Sequence, residues 1–88
     1  MDQNEYDQLV KELSLMLLYL TSWKEKDLGM EYRRSWKGYP FEALNELRDE
    51  DGLIYGSNRS KSVYIQEKGI EKAKELLEKY KLEDPIDK

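Results

Sequence analysis

A chain of 88 residues with neither cysteine nor histidine cannot form disulfides, thiolate zinc sites or histidine-based catalytic dyads, and this excludes many enzyme classes. Its formal net charge of −4 at pH 7 also argues against general electrostatic attraction to nucleic acid. We therefore expect one domain, residues 1–88, that is not an enzyme and uses no cofactor or metal.

The charge is distributed unevenly along the chain. Residues 23–39 and 56–68 each carry +2, whereas residues 1–22 carry −3 and residues 40–52 carry −4. The two positive segments are therefore the candidate anion-facing surfaces. The acidic N-terminus and the shortness of the longest apolar run, residues 15–20, predict a cytoplasmic protein without a membrane partner.

The first predicted helix runs from about Glu5 to Trp23, with Asp2 or Asn4 as its N-cap. Its apolar stripe at helical spacing, which we expect to face the core, consists of Tyr6, Leu9, Leu13, Met16, Leu17 and Leu20. Other faces are also apolar, and they form a candidate interface with a second copy or another protein: Leu15, Leu18, Tyr19 and Trp23. Burial of these four side chains within one chain is the alternative, and the sequence favours neither.

Residues 24–39 have no clear periodicity, so we expect an irregular segment and leave open whether it contains a helix. Basic and aromatic side chains are mixed here, as they are in surfaces that bind single-stranded nucleic acid by stacking and charge. The candidate nucleic-acid-binding residues are Arg33, Arg34 and Lys37, together with Arg59 and Lys61 in a later loop. The alternative is that Trp36 and Tyr39 anchor the segment to the core while the cations stay in solvent.

A second helix is predicted from about Pro40 to Asp51, ended by Gly52 in a left-handed cap. Residues 53–55 and 62–65 are rich in strand formers, and the polar loop between them predicts an antiparallel hairpin. A third helix is predicted from about Glu67 to Tyr80. Residues 82–88 are expected to form a flexible tail.

The second half of the chain has the order helix, glycine, apolar strand, polar loop, return strand and a helix that begins Gln66-Glu67-Lys68-Gly69. This order resembles the wing and following helix of MarR-type and PadR-type winged-helix regulators. The residues that carry the resemblance are Leu47, Gly52, Leu53, Ile54, Val63, Ile65, Glu67, Lys68 and Gly69. Gln66 stands where those regulators usually have threonine.

A wider set of positions extends the resemblance over nearly the whole chain: Trp36-Lys37-Gly38, Phe41, Ala43-Leu44, Leu47, Gly52-Leu53-Ile54, Lys61-Ser62-Val63 and Glu67-Lys68-Gly69. In these positions the chain is similar to a small family of uncharacterised bacterial proteins, a domain of unknown function. That resemblance implies a winged-helix-like fold and no particular activity.

Together these features predict a small α+β, winged-helix-like domain in the order helix, helix, strand, strand, helix, with one antiparallel β-hairpin. The predicted core consists of Leu9, Leu13, Leu17, Leu20, Trp36, Phe41, Leu44, Leu47, Leu53, Val63, Ile65, Ile70, Ala73 and Leu77.

Two functions are expected from these features. The first is a protein-interaction or dimerisation module that uses the first or last helix. The alternative is a nucleic-acid-binding transcriptional regulator that uses the hairpin wing and the basic 33–37 segment. Net charge and the acidic second helix, which would be repelled by duplex phosphates, disfavour this alternative.

Overall fold

The computed structural model describes residues 1–27, 29–57 and 59–86, and it confirms the α+β class. Three helices pack against one four-stranded antiparallel sheet in the strand order β1-β2-β4-β3. In chain order the elements are α1 (Gln3–Leu20), β1 (Trp23–Asp27), β2 (Met30–Trp36), α2 (Phe41–Asn45), a π-helical segment (Glu46–Glu50), β3 (Ile54–Tyr55), β4 (Ser62–Ile65) and α3 (Glu67–Lys79). None of the described helices has the length and apolar content that crossing a membrane requires.

The first helix starts at the predicted cap and ends earlier than predicted. The Asp2 carboxylate accepts a hydrogen bond of 2.8 Å from the Glu5 backbone N–H, which satisfies a donor of the first turn. α1 ends at Leu20, and the Thr21 hydroxyl donates to the Leu17 carbonyl. Trp23, expected at the end of the helix, opens the first strand instead.

Two expectations are wrong: that residues 24–39 form an irregular segment, and that the domain contains only one hairpin. β1 and β2 form a second antiparallel hairpin, in register from Trp23↔Arg34 to Asp27↔Met30. Charged side chains such as Lys26 and Glu31 occupy much of this hairpin, so the alternation of apolar and polar residues that reveals a half-buried strand is missing.

The predicted second half is confirmed in its main elements. α2 is continued by the π-helical segment, and Gly52 follows with φ +65°, as the left-handed cap requires. β3 and β4 pair antiparallel, with Tyr55 opposite Tyr64. β4 also pairs with β2, which joins the two hairpins into one sheet.

The core lies between the inner face of the sheet and the helices. Six predicted core residues are buried there: Leu44, Leu47, Val63, Ile65, Ala73 and Leu77. Leu20, Leu53 and Ile70 are partly buried against them. Four predicted core residues are instead exposed on the surface: Leu13, Leu17, Trp36 and Phe41.

The buried side of α1 is not the predicted one. Leu15, Met16, Leu18 and Tyr19 lie in the core, which rotates the buried face away from Leu13 and Leu17. The cause is that α1 is apolar on several sides, so apolar spacing alone does not select a face. The α1 residues that form ion pairs or hydrogen bonds with distant parts of the chain, Lys11, Glu12 and Tyr19, lie on the buried side.

Candidate binding surfaces

The two faces of the sheet have different surroundings. Successive side chains of a strand point to opposite faces, so Ser35, Val63 and Ile65 point inward, where they are buried beneath the helices. Of the outward-pointing residues, Trp36 (62%) and Tyr55 (63%) are largely exposed, and Trp23, Tyr32, Arg34 and Tyr64 are partly exposed. The sheet therefore presents one open face.

This open face is lined by aromatic rings from all four strands. We call it the aromatic face, and its members are Trp23, Tyr32, Arg34, Trp36, Tyr55 and Tyr64. Trp23 and Trp36 have ring centroids 5.1 Å apart, and Tyr32 and Tyr64 have centroids 5.4 Å apart, both in tilted arrangements. Neighbouring strands thus hold their rings at distances at which aromatic pairs attract.

Arg34 is the cation at the centre of this face. Its guanidinium lies 4.0 Å from the centre of the Tyr64 ring, and its Nε lies 3.6 Å from Glu25 Oε2. That Nε is buried and donates no hydrogen bond within the described residues. Arg34 is therefore held in place by stacking and by charge.

The other predicted nucleic-acid-binding residues are not all on this face. Arg33 points to the inner side, where its Nε and Nη2 donate to the hydroxyl and carbonyl oxygens of Ser22 at 2.6 and 2.8 Å. Lys37 donates from its Nζ to the Ser57 carbonyl at 2.7 Å, and its backbone N–H donates to the Lys61 carbonyl. Arg33 therefore anchors the first hairpin to the end of α1.

Lys61 lies at the end of the sheet where Trp36 is found, because its neighbour Ser62 pairs with Trp36. Arg59 is exposed in the same loop, of which residue 58 lies outside the described part of the chain. Arg34, Lys37, Lys61 and Arg59 therefore border the Trp36 end of the sheet, and Arg33 does not.

Sequence reasoning missed Tyr55 and Tyr64 as members of a binding surface, and it placed Trp23 in a helix interface instead of on the sheet. The available signal was spacing by two in β2, where Tyr32, Arg34 and Trp36 occupy alternate positions. That spacing indicates a strand with one aromatic side, but it does not reveal which other strands lie beside it.

The predicted interface residues on α1 are mostly unavailable for contact. Leu15, Leu18 and Tyr19 are at most 1% exposed, since α3, α2, β2 and the π-helical segment pack against α1 within the same chain. Trp23 is half-buried on the aromatic face, against Trp36. The three helix residues are therefore buried within their own chain, which was the alternative to an interface.

The side of α1 that faces solvent is apolar instead. Leu13 and Leu17 are 46% and 45% exposed, Tyr6 is exposed, and Leu9 and Leu20 are half-buried beside them. These five residues follow spacings of three and four and form a continuous strip, which we call the α1 stripe. The stripe contains no charged residue.

Charge separates the two layers of the molecule. The segments that contain the helices, residues 1–22, 40–52 and 67–88, carry a combined charge of −8. The segments that contain the strands, residues 23–39 and 53–66, carry +4. The acidic character of the chain thus belongs to its helices. The strands themselves carry +1, and the rest of the positive charge belongs to Lys37, Arg59 and Lys61, which lie outside the strands.

Ion pairs fix the buried side of α1. Burial alone would lower the pKa of Lys11, but its hydrogen bond to Asp51 and the charges of Asp51 and Glu46 outweigh burial and raise that pKa. Burial would likewise raise the pKa of Glu12, but hydrogen bonding by Tyr80, 2.7 Å away, and the charge of Lys79 lower it. These pairs tie α1 to the π-helical segment and to α3.

The end of the chain also returns to α1. The Tyr19 hydroxyl donates to the Asp84 carboxylate at 2.8 Å, and Ile86 packs partly buried against the core. Asp84 and Ile86 therefore contact the domain, whereas residues 87 and 88 lie outside the described part of the chain. In that described part, no group of three carboxylates is arranged to hold a metal ion.

Comparison with curated proteins and with solved structures finds no match. One protein family matches residues 6–83, which include every strand, the whole aromatic face and almost all of the three helices. The chain therefore belongs to the family described as a domain of unknown function, DUF6429.

Proposed function

We propose that this chain is a cytoplasmic protein-interaction module that forms a homodimer through the α1 stripe, and that it is not an enzyme. The observation that carries the proposal is the uncovered, uncharged side of α1, with Leu13 and Leu17 nearly half exposed. Contiguous apolar strips of this kind mark protein contacts. The lack of histidine and cysteine supports a binding role over a catalytic one.

A second copy of the chain is the partner that fits the stripe best. A two-fold interface brings the same surface of each copy together, so the surface must be complementary to itself. An apolar strip without charges meets this condition because neither copy buries an unpaired charge.

Charge at the two ends of α1 favours an antiparallel pairing. The first turns carry Asp2, Glu5 and Asp7, whereas Arg33 and its strand neighbour Lys24 lie at the other end, where Arg33 binds Ser22. In an antiparallel dimer the acidic end of each helix lies beside the basic end of the other. Helix dipoles also favour this orientation.

Sedimentation equilibrium tests the dimer. We expect a species of twice the 10.6 kDa chain mass, and we expect a monomer when both Leu13→Gln and Leu17→Gln are introduced. Leu82→Gln, at an exposed leucine outside α1, is the matched control and should leave the dimer intact. A monomeric wild type at high concentration, or a dimer unaffected by the double substitution, would contradict the proposal.

Cysteine cross-linking tests the orientation, since the chain has no cysteine of its own. Leu13 is the midpoint of the stripe between Tyr6 and Leu20, so an antiparallel dimer places it against its own counterpart. Leu13→Cys should then form a disulfide-linked dimer on oxidation, and Tyr6→Cys should not. Cross-linking at both positions would indicate a parallel dimer instead.

A nucleic-acid-binding regulator is the second candidate function. The observation that favours it is that Arg34, Lys37, Arg59 and Lys61 border one end of the sheet, and that the segments containing the strands carry +4. Under this proposal the winged-helix relationship applies to α2, the β3–β4 hairpin and α3, in which helix, hairpin and helix follow in the expected order. β1 and β2 occupy the place of the preceding helix of such regulators.

A gel-shift assay at low salt tests this second candidate. Binding should weaken as salt is raised, because phosphate contacts release counterions. Replacing both loop cations, Arg59→Glu with Lys61→Glu, should reduce it, whereas Lys68→Glu on the exposed surface of α3 should change it little. Absence of binding to both duplex and single-stranded probes would eliminate this function.

A further inference from the structure

We infer that the aromatic face is a binding site for single-stranded nucleic acid, in which bases stack on Trp36 and Tyr55 and a phosphate binds Arg34. This inference rests on the second candidate function and specifies its ligand and its residues. It does not depend on the α1 dimer.

The first argument is the arrangement of the rings. Bases of any sequence stack on aromatic side chains, and an open antiparallel sheet with outward aromatics is an established way to present them. Here Trp36 lies on β2 and Tyr55 lies on β3, on either side of β4, which carries Tyr64. Both Trp36 and Tyr55 are more than 60% exposed. Bases of a strand that crosses the sheet would meet both rings.

The second argument is the shape beside the rings. A groove of about 690 Å³ is lined by Tyr32, Tyr55 and Tyr64, and its charged lining residues are Lys24, Arg33, Glu31 and Glu67. Its volume is within the range of small-ligand sites. An unstacked base therefore has room to enter among the three tyrosines.

The third argument is the state of Arg34. Its guanidinium is oriented by the Tyr64 ring, and its buried Nε lacks a hydrogen-bond acceptor within the described residues. A guanidinium fixed in this way presents its outer N–H groups in the fork that matches phosphate oxygens. Lys37 and Lys61 follow the strands at the Trp36 end of the sheet but take the inward alternation of Ser35 and Val63, so Arg34 is the cation that lies on the face itself.

The overall negative charge does not oppose this site. The helix segments carry −8, and the helices cover the other side of the sheet, whereas the strands carry +1 and the adjoining Lys37, Arg59 and Lys61 bring their segments to +4. Glu25 is the carboxylate paired with Arg34 on the face itself. At a screening length of about 10 Å in 0.1 M salt, the near charges outweigh the distant ones.

A double-stranded ligand fits this face less well. Paired bases in a duplex keep their flat surfaces stacked on one another and unavailable to protein rings. The helix that would enter a major groove in a winged-helix regulator is α2 with the π-helical segment, where Glu42, Glu46, Asp49, Glu50 and Asp51 accompany a single base, Arg48. The aromatic face therefore favours single strands.

The experiment uses a fluorescein-labelled oligothymidylate of about 12 nucleotides, a length typical for one sheet platform. Its anisotropy is measured at low salt against the full chain and against the same amount of a matched duplex. Both tryptophans of the chain lie on the aromatic face, so tryptophan quenching by unlabelled oligonucleotide gives a second readout. We expect binding of the single strand, quenching, and weaker binding of the duplex.

Variants assign the binding to named residues. Trp36→Ala and Tyr55→Ala should each weaken the single-strand complex by roughly 5- to 100-fold, the effect of losing one stacked base. Tyr6→Ala, an exposed ring on α1, is the matched control and should have no effect. Arg34→Gln should lower the slope of log affinity against log salt by about 0.7, as expected for one lost phosphate contact.

The outcomes separate this inference from the functions proposed above. Two outcomes would overturn the inference but retain a nucleic-acid function. One is equal affinity for duplex and single strand. The other is an affinity that is unchanged in Trp36→Ala and Tyr55→Ala but lost when Arg59→Glu and Lys61→Glu are combined. No binding of either probe would overturn both. A Trp36→Ala variant that changes the sedimentation mass would show the face to be a protein interface and would also overturn the inference.

Discussion

Single residues at the start of α3 show how closely this helix approaches the chain before β3. The Gln66 backbone N–H donates to the Leu53 carbonyl at 3.0 Å, and a Cβ built on Gly69 would lie 2.1 Å from the same oxygen. The glycine is therefore required by backbone contact. Its place in the Glu67-Lys68-Gly69 motif was visible in the sequence, but the contact that requires it was not.

Gly69→Ala should destabilise the domain by at least about 2 kcal/mol, because the added methyl displaces backbone and this outweighs the roughly 1 kcal/mol by which alanine favours a helix. Urea unfolding followed by circular dichroism measures the change. Gly38→Ala is the control, since nothing lies within 4 Å of its added Cβ. Equal stability of the two variants would show that the close approach is absent in solution.

Glu12 makes stability depend on pH. Its pKa is lowered from 4.5 in the folded chain, since the Tyr80 hydroxyl and Lys79 outweigh its burial. Because this pKa is lowered, the ionised Glu12 stabilises the folded chain above about pH 4.5, and this stabilisation is lost as pH falls through the pKa of Glu12 in the folded state. Glu12→Gln should therefore reduce the loss of stability between pH 5 and pH 3, measured as urea midpoints, whereas Glu71→Gln on exposed α3 should not.

Among the elements, α1 shows what sequence periodicity can and cannot predict. Its existence, its Asp2 cap and its approximate length follow from local residue patterns. Its orientation does not, because Leu13 and Leu17 on one side and Leu15 and Leu18 on the other satisfy the same spacing. Which side of α1 is buried depends on partners distant in sequence: Asp51 pairs with Lys11, and Asp84 accepts a hydrogen bond from Tyr19.

The β1–β2 hairpin is the element that sequence reasoning failed to predict, and the candidate site depends on it. Its outward apolar residues are Trp23, Met30, Tyr32 and Trp36, and charged residues fill most of the alternate positions, so it resembles a polar loop. Its pairing with β4 from Arg33↔Ile65 to Trp36↔Ser62 stabilises it. Such long-range pairing leaves no local sequence signal.

Removing the Arg33 anchor should loosen this hairpin in particular. Arg33→Ala removes two hydrogen bonds to Ser22 and should destabilise the domain by about 1–3 kcal/mol. Hydrogen exchange should accelerate most for the backbone amides of β1 and β2. Lys26→Ala, an exposed charge on the same hairpin, is the control. Uniform acceleration throughout the chain would indicate global destabilisation instead of a local anchor.

For the whole molecule, the two proposed surfaces lie on different layers and can be used together. A dimer formed through the α1 stripe carries two aromatic faces, so one long strand can contact both. Once one face is bound, the other binds at a high effective concentration.

A single strand of about 40 nucleotides should therefore bind the wild-type dimer more tightly than a strand of about 12 nucleotides does, by roughly tenfold or more. The Leu13→Gln and Leu17→Gln double variant should lose this gain and keep its affinity for the short strand. Anisotropy titrations of both lengths measure the difference. An equal gain in the monomeric variant would show that length alone increases affinity.

The strand order β1-β2-β4-β3 has a consequence for how the chain folds. Each hairpin joins neighbours in sequence, and can form within microseconds. The seam between β2 and β4 instead joins residues 26 to 32 positions apart, with α2 between them. Closing that loop lowers the entropy of the chain before the burial of apolar surface can compensate for the loss. The rate-limiting step of folding should thus be the meeting of two preformed hairpins, with Ser35 opposite Val63 in the transition state.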